Sequence, residues 1–137
     1  METLKLEIIT PEHKFLEEQA EIVIIPGAEG ELGILSQHVP LITALKPGII
    51  KLKKSENSTY DEVFVTAGFA EVSHNEVVIL TEMACYISEL KEEEIIQSKE
   101  ICKERLSKCE TEIEKNFLQD SIDTKDMILE IISSRTK

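Results

Sequence analysis

Residues 69–81 read Phe69-Ala70-Glu71-Val72-Ser73-His74-Asn75-Glu76-Val77-Val78-Ile79-Leu80-Thr81. Phe69 to Ser73 and Val77 to Thr81 are short β-forming runs, and His74-Asn75 between them is a hairpin-like turn. The pattern extends to either side. Leu4, Leu6 and Ile8 alternate with Lys5 and Glu7, the period of two of a half-buried strand. Glu21 to Ile25 is a β-branched strand closed by Pro26-Gly27. Gly48 to Lys54, Val63 to Thr66 and Met83 to Ile87 add further strands. All 5 glycines and 4 prolines precede residue 69. Many short strands separated by turn signals predict a sandwich or barrel, two sheets over one core.

From Glu89 onward there is no Gly and no Pro, and Glu, Lys, Ile and Leu dominate, residues that suit helices. Ser88 ahead of Glu89 to Glu94 predicts a cap and a negatively charged first turn, both favoured by the helix dipole. Ile95, Cys102, Leu106, Cys109, Ile113 and Phe117 recur at helical spacing and predict an apolar stripe. Ile128, Leu129, Ile131 and Ile132 form a second apolar group. A single helix this long would leave its stripe in water, so one break is expected, at Ser107 to Thr111 or at Asp120 to Thr124. The chain therefore reads as α+β: an N-terminal β-sandwich over residues 1–88 and a C-terminal two-helix hairpin over residues 89–137.

Composition narrows the function. The 137 residues are 42% apolar, enough for a core. With 15 basic and 27 acidic side chains the net charge is −12. Such a surface repels phosphate backbones, and with no Trp, 4 Phe and 2 Tyr there is little to stack bases on, so no nucleic-acid partner is expected. Apolar runs stop at about four residues, against about 20 for a membrane span. The opening Met1-Glu2-Thr3-Leu4-Lys5 has neither a basic nor an apolar leader region, so no secretory or transit segment is expected. Cys85, Cys102 and Cys109 are odd in number with no C-x-x-C, and read as reduced thiols.

No catalytic or metal signature emerges. His13, His38 and His74 lie in separate loop-like stretches with no H-x-x-x-H pair. No nucleophile elbow, kinase set or phosphate loop occurs. A small hydrolase built on His38 and a cysteine lacks any motif. The distinctive stretch is Pro26-Gly27-Ala28-Glu29-Gly30-Glu31-Leu32-Gly33-Ile34-Leu35, followed by His38-Val39-Pro40-Leu41. Taken alone, its glycines read as tight turns that need positive φ.

Pro26 to Ile34, His38 to Leu41 and Gly48 together resemble the signature of the epsilon subunit of F-type ATP synthases: P-G-x-x-G-E-x-G-I, then H-x-P-L, then a Gly. Gly68-Phe69-Ala70-Glu71-Val72-Ser73-His74-Asn75-Glu76-Val77 is similar to a second signature of that family. Thr10-Pro11-Glu12 and Phe15 resemble its opening. The resemblance implies a non-catalytic subunit with no cofactor. It implies a sandwich at the foot of the central stalk, clamped to the gamma subunit and resting on the ring of membrane c subunits, where it helps couple proton flow to rotation. It implies helices that lie folded or extend toward the catalytic alpha/beta hexamer and hinder ATP hydrolysis.

By position, Glu29, Gly30 and Glu31 match the loop that faces the c ring, and His38 and Thr43 match the gamma-facing side. Gly33 and Gly48 match backbone positions rather than contacts. The expected location is the cytoplasmic face of a bacterial inner membrane, peripheral and indirect, with the stromal face of a thylakoid as the alternative. Some members bind ATP through I-D-x-x-R-A at the start of the first helix. The matching stretch here is Ile87-Ser88-Glu89-Leu90-Lys91-Glu92, and the second helix offers only Arg135, so no ATP binding is expected. The competing reading is a stand-alone acidic adaptor whose helical tail dimerises.

Overall fold

The computed structural model describes residues 2–135, with the side chain of Arg135 outside that description. Ten strands are followed by a short 3₁₀ turn and two helices: β1 Leu4–Ile9, β2 Lys14–Ala20, β3 Ile22–Gly27, β4 Gly30–Leu35, β5 Leu41–Leu45, β6 Gly48–Lys53, β7 Asp61–Val65, β8 Gly68–Ser73, β9 Glu76–Thr81, β10 Ala84–Tyr86, α1 Glu92–Lys108 and α2 Glu112–Arg135. The strands form two layers. One runs β10-β7-β6-β3-β4 and the other β5-β8-β9-β1-β2. A single pair, Gly27 with Leu45, joins them. Every ladder is antiparallel except β1 with β9. This is the expected sandwich followed by two helices.

Alternation along the strands builds the core. Leu4, Leu6 and Ile8 from β1 meet Val23 and Ile25 from β3, Ile50 and Leu52 from β6, and Val77 and Ile79 from β9 in one buried cluster. Each such side chain contributes about 1.5–3 kcal/mol when fully removed from water. Val63 and Val65 join the cluster, while Phe64 between them is fully buried on the other face of β7.

Three strands were not foreseen. β2 is a polar edge strand in which only Leu16 and Ala20 are buried, so its apolar signal is thin. β4 occupies the glycine-rich stretch that read as turns. β5 carries apolar residues on both faces, which blurs its period.

Residues 1–88 and residues 89–137 form two compact units. In the second unit the helices break at Cys109 to Thr111, the first of the two expected places. Thr111 explains it. Its Oγ1 accepts from the Glu114 amide at 3.3 Å, and its carbonyl accepts from Lys115 at 3.0 Å. Thr111-Glu112-Ile113-Glu114 has the sequence of a capping box. The start of α1 differs from expectation. Ser88 lies in the 3₁₀ turn Ile87–Glu89, and Lys91 precedes the helix with no side-chain cap. The break also resets the apolar phase. Ile113 and Phe117, placed on one continuous stripe by spacing, are 85% and 72% exposed, whereas Leu118, Ile122 and Ile128 are buried. An ion pair between Lys99 and Asp126 and a 3.7 Å contact between Cys102 Sγ and Ser121 Oγ bring the two helices together. Among the described residues no helix is long and apolar enough to cross a membrane.

Candidate functional site

The glycine-rich stretch is a β3–β4 hairpin. Gly27 pairs with Gly30, leaving Ala28 and Glu29 as the turn. Gly30 has φ of +135°, a conformation that only glycine adopts readily. A Cβ on Gly27 would lie 2.7 Å from the Gly30 carbonyl oxygen, so the strands close only without one. Gly33 has neither constraint: its φ is ordinary and nothing lies within 4 Å of a Cβ there. Of the three glycines in this hairpin, one has positive φ. Glu29 and Glu31 are exposed on either side of Gly30. The turn is clamped to β5 from behind. The Ala28 amide donates to the Ala44 carbonyl at 2.9 Å, and the Lys46 amide donates to the Pro26 carbonyl at 3.1 Å. Two carboxylates on so fixed a turn suit cationic side chains, since charge-assisted hydrogen bonds gain most when the acceptor is already in place.

β5 leads from this turn onto a sheet face. Its outward positions are Ile42, 76% exposed, and Ala44. Ala44 pairs with Phe69 of β8, 59% exposed, and Phe69 pairs with Leu80 of β9, also exposed. Large apolar side chains therefore lie side by side in water, the usual mark of an interaction site. At the end nearest the acidic turn, a groove of about 440 Å³ opens between Ile9, Pro11, Phe69, Leu80 and Glu82. Farther along the same sheet the surface turns ionic. Lys5 Nζ lies 2.8 Å from Glu7, and Lys14 Nζ 3.6 Å from Glu7, with Glu17 within 3.5 Å of both lysines. The hydrogen bond from Lys5 holds the Glu7 carboxyl below its ordinary range, and the same bond raises Lys5.

The expected site residues fall in two places. Glu29 sits in the turn, and Gly30 and Glu31 open β4 directly after it. His38 is half-buried in the loop before β5, at the end of that strand away from the turn, with Nδ1 2.7 Å from the Val39 carbonyl. Thr43 is half-buried in β5, opposite Ala70, and alternates with the outward Ile42 and Ala44; its hydroxyl donates to the Ala44 carbonyl at 3.2 Å. Sequence reasoning missed Ile42, Phe69 and Leu80. The signal was the strand period itself, which puts Phe69 outward opposite the core residues Ala70 and Val72. Among the described residues no cluster of His, Cys, Asp or Glu is placed to hold a metal ion.

The family profile described as "ATP synthase, Delta/Epsilon chain, beta-sandwich domain" matches residues 3–87. The ATP synthase epsilon chain of Lawsonia intracellularis is 43% identical over 109 residues, 80% of each chain. That of Campylobacter fetus is 37% identical over 103 residues, 75% of this chain and 79% of the relative. Among solved structures, a chain of the Euglena gracilis mitochondrial ATP synthase superposes with a TM-score of 0.70 at 23% identity, covering 90% of this chain and 78% of its own. One from the central stalk and c-ring of the Tetrahymena thermophila mitochondrial ATP synthase gives 0.57 at 13% identity, covering 99% and 98%. At such identities the two likenesses speak to the fold. The profile match across the sandwich and relatives similar over most of both chains place this chain in the ATP synthase delta/epsilon family, among the epsilon chains.

Proposed function

We propose that the chain is the foot of the rotor, its sandwich held between the gamma subunit and the c ring. As an epsilon-chain family member it is a non-catalytic subunit of the proton-translocating ATP synthase, in the central stalk. The stand-alone adaptor finds no support among these relatives. The observation that carries the finer reading is the clamp between the acidic turn and the apolar face. Through it, the hairpin that carries the carboxylates is fixed to the strand that bears exposed carbon along its side. Glu29 and Glu31, with Gly30 shaping the turn, meet polar c-ring loops. The part that meets gamma carries His38 at one end of β5 and the outward Ile42 and Phe69, with the inward-turned Thr43 on the same strand. Residues 89–137 are the regulatory part, reaching the alpha/beta hexamer and restraining ATP hydrolysis. In this reading the chain works at the cytoplasmic face of a bacterial inner membrane, attached only through its partners.

The test is a pull-down of the tagged full chain from detergent-solubilised membranes. Recovery of gamma and c subunits in stoichiometric amount is expected. Recovery of the chain alone, or of a partner unrelated to the ATP synthase, overturns the reading.

A further inference from the structure

We infer that a polar layer between α1 and α2 is the latch of the helical hairpin. The Lys99–Asp126 ion pair, backed by Cys102 and Ser121, holds the two helices in one register, and ionic strength sets how firmly they close. The inference concerns residues 89–137 alone. It goes beyond the stalk reading and stands or falls separately from it.

The seam is short of apolar contact. α1 buries none of its residues. Ile95, Cys102 and Leu106 are half-buried, as is Cys109 just past its end. Closing such a hairpin removes little carbon from water, and helices of this length draw most of their stability from packing. The polar contacts therefore weigh heavily. The Lys99 side chain is 22% exposed and that of Asp126 49%, so the ammonium is drawn into the seam while water and salt still reach the carboxylate. One turn further along α1, Cys102 Sγ lies 3.7 Å from Ser121 Oγ, and Lys125 donates to the same hydroxyl at 2.8 Å. Lys103 with Glu100, Lys108 with Glu104 and Lys115 with Glu112 each pair within one helix. Among the described residues, Lys99–Asp126 is the ion pair that crosses the seam.

Such a layer fixes register. Sliding one helix by a turn re-forms contacts between Ile and Leu side chains, but it leaves Lys99 and Asp126 without each other. The layer also gives closure a particular response to salt. Sodium chloride screens a water-accessible ion pair and does not weaken apolar contact, so added salt loosens the hairpin only if charge holds it. Opening exposes Ile95, Cys102, Leu106 and Cys109, whose spacing runs on into the exposed Ile113 and Phe117. The latch thus controls how much of that apolar stripe meets water.

The test is amide hydrogen exchange of the full chain, read on α1 peptides with peptides of β8 and β9 as internal reference. Between about 0.05 M and about 1 M sodium chloride, exchange in α1 should quicken roughly threefold or more while the reference holds. Asp126→Asn and Lys99→Gln should each be fast at both salt concentrations. They change net charge in opposite directions, so relief of general repulsion cannot account for both. Lys99→Asp with Asp126→Lys should restore the slow, salt-sensitive exchange. Alkylation of Cys102 by N-ethylmaleimide, with Cys85 of the sandwich as reference, should follow the same order. If a single variant loses its helix altogether by circular dichroism, the salt response of the wild-type chain and the charge swap decide. Salt-independent exchange in the wild-type chain, wild-type exchange in both single variants, or a charge swap that stays fast overturns the latch.

Discussion

The Ala28 amide donates to the Ala44 carbonyl at 2.9 Å, and this bond couples the acidic turn to the strand that carries the apolar face. A load on Glu29 or Glu31 is therefore passed into β5 and, through the Ala44–Phe69 pair, into β8. Such a stiff path suits the proposed position between gamma and the c ring.

The glycines of the turn separate by their constraints. Gly30→Ala forces a Cβ into φ near +135° and should cost about 1–3 kcal/mol. Gly33→Ala meets open space at ordinary φ and should be neutral or stabilise by about 0.4–1 kcal/mol, through a less flexible unfolded chain. Urea melts of the two variants check this. Equal losses would show that the turn conformation is not what glycine is needed for.

Glu31→Lys is expected to leave stability within about ±0.5 kcal/mol, because the side chain is exposed and engaged in no structural contact that would be lost. Proton-driven ATP synthesis in reconstituted vesicles should fall if Glu31 meets the polar c-ring loops as proposed, since the substitution reverses the charge offered to them. Normal coupling with normal assembly removes Glu31 from the c-ring interface.

Core and stripe make opposite predictions for residues of similar hydrophobicity. Leu6 is fully buried in the sandwich, so Leu6→Ala should cost about 2–5 kcal/mol. Ile113 is 85% exposed at the start of α2, so Ile113→Ser should stay within about ±0.5 kcal/mol. Read from spacing alone, with Ile113 on the buried stripe, the second substitution would be severe. Thermal melts distinguish the two cases.

That contrast shows where the sequence was legible. Strands whose inward residues are Val, Ile or Leu and whose outward residues are polar, such as β1, announced themselves through their period. β5 did not, because Ile42 faces outward between Leu41 and Thr43 on the inner side, and a strand with apolar residues on both faces has no clean alternation. That same irregularity lies on the proposed docking face, where an exposed apolar residue breaks the period. The helical break was narrowed to two stretches by length. Thr111 and Glu114 could have chosen between them, since a capping box marks a helix start, whereas Asp120 to Thr124 lies inside α2. The acidic turn was legible because a glycine-flanked Glu pair has nowhere to go but water.

The Lys5–Glu7–Lys14 network sets a pH window. Glu7, depressed in the folded state, contributes stability above its ordinary value of 4.5, and this is lost as pH falls through the lower folded value. Lys5, raised in the folded state, contributes below 10.5, and this is lost as pH rises through the higher folded value. The melting temperature should plateau between those limits and fall outside them. Glu7→Gln should flatten the acid limb and weaken the alkaline one, because it removes the titrating carboxylate and leaves Lys5 only a neutral hydrogen-bond acceptor at that position. An unchanged acid limb in Glu7→Gln would place the acid sensitivity elsewhere.

The chain is expected not to bind ATP. Lys91 precedes α1 in extended conformation, and the first turn behind it holds Glu92, Glu93 and Glu94, all exposed. A helix N-terminus ordinarily attracts anions through its free amides and dipole. Here three carboxylates already occupy that field and repel a triphosphate. Lys91 is a flexible point charge that cannot grip phosphate as a bidentate guanidinium does. Ser88, where nucleotide-binding relatives are expected to carry Asp, sits in a 3₁₀ turn. Calorimetry of the full chain with millimolar Mg-ATP should show no saturable heat. A micromolar dissociation constant abolished by Lys91→Ala would overturn this and make the helical unit a nucleotide sensor.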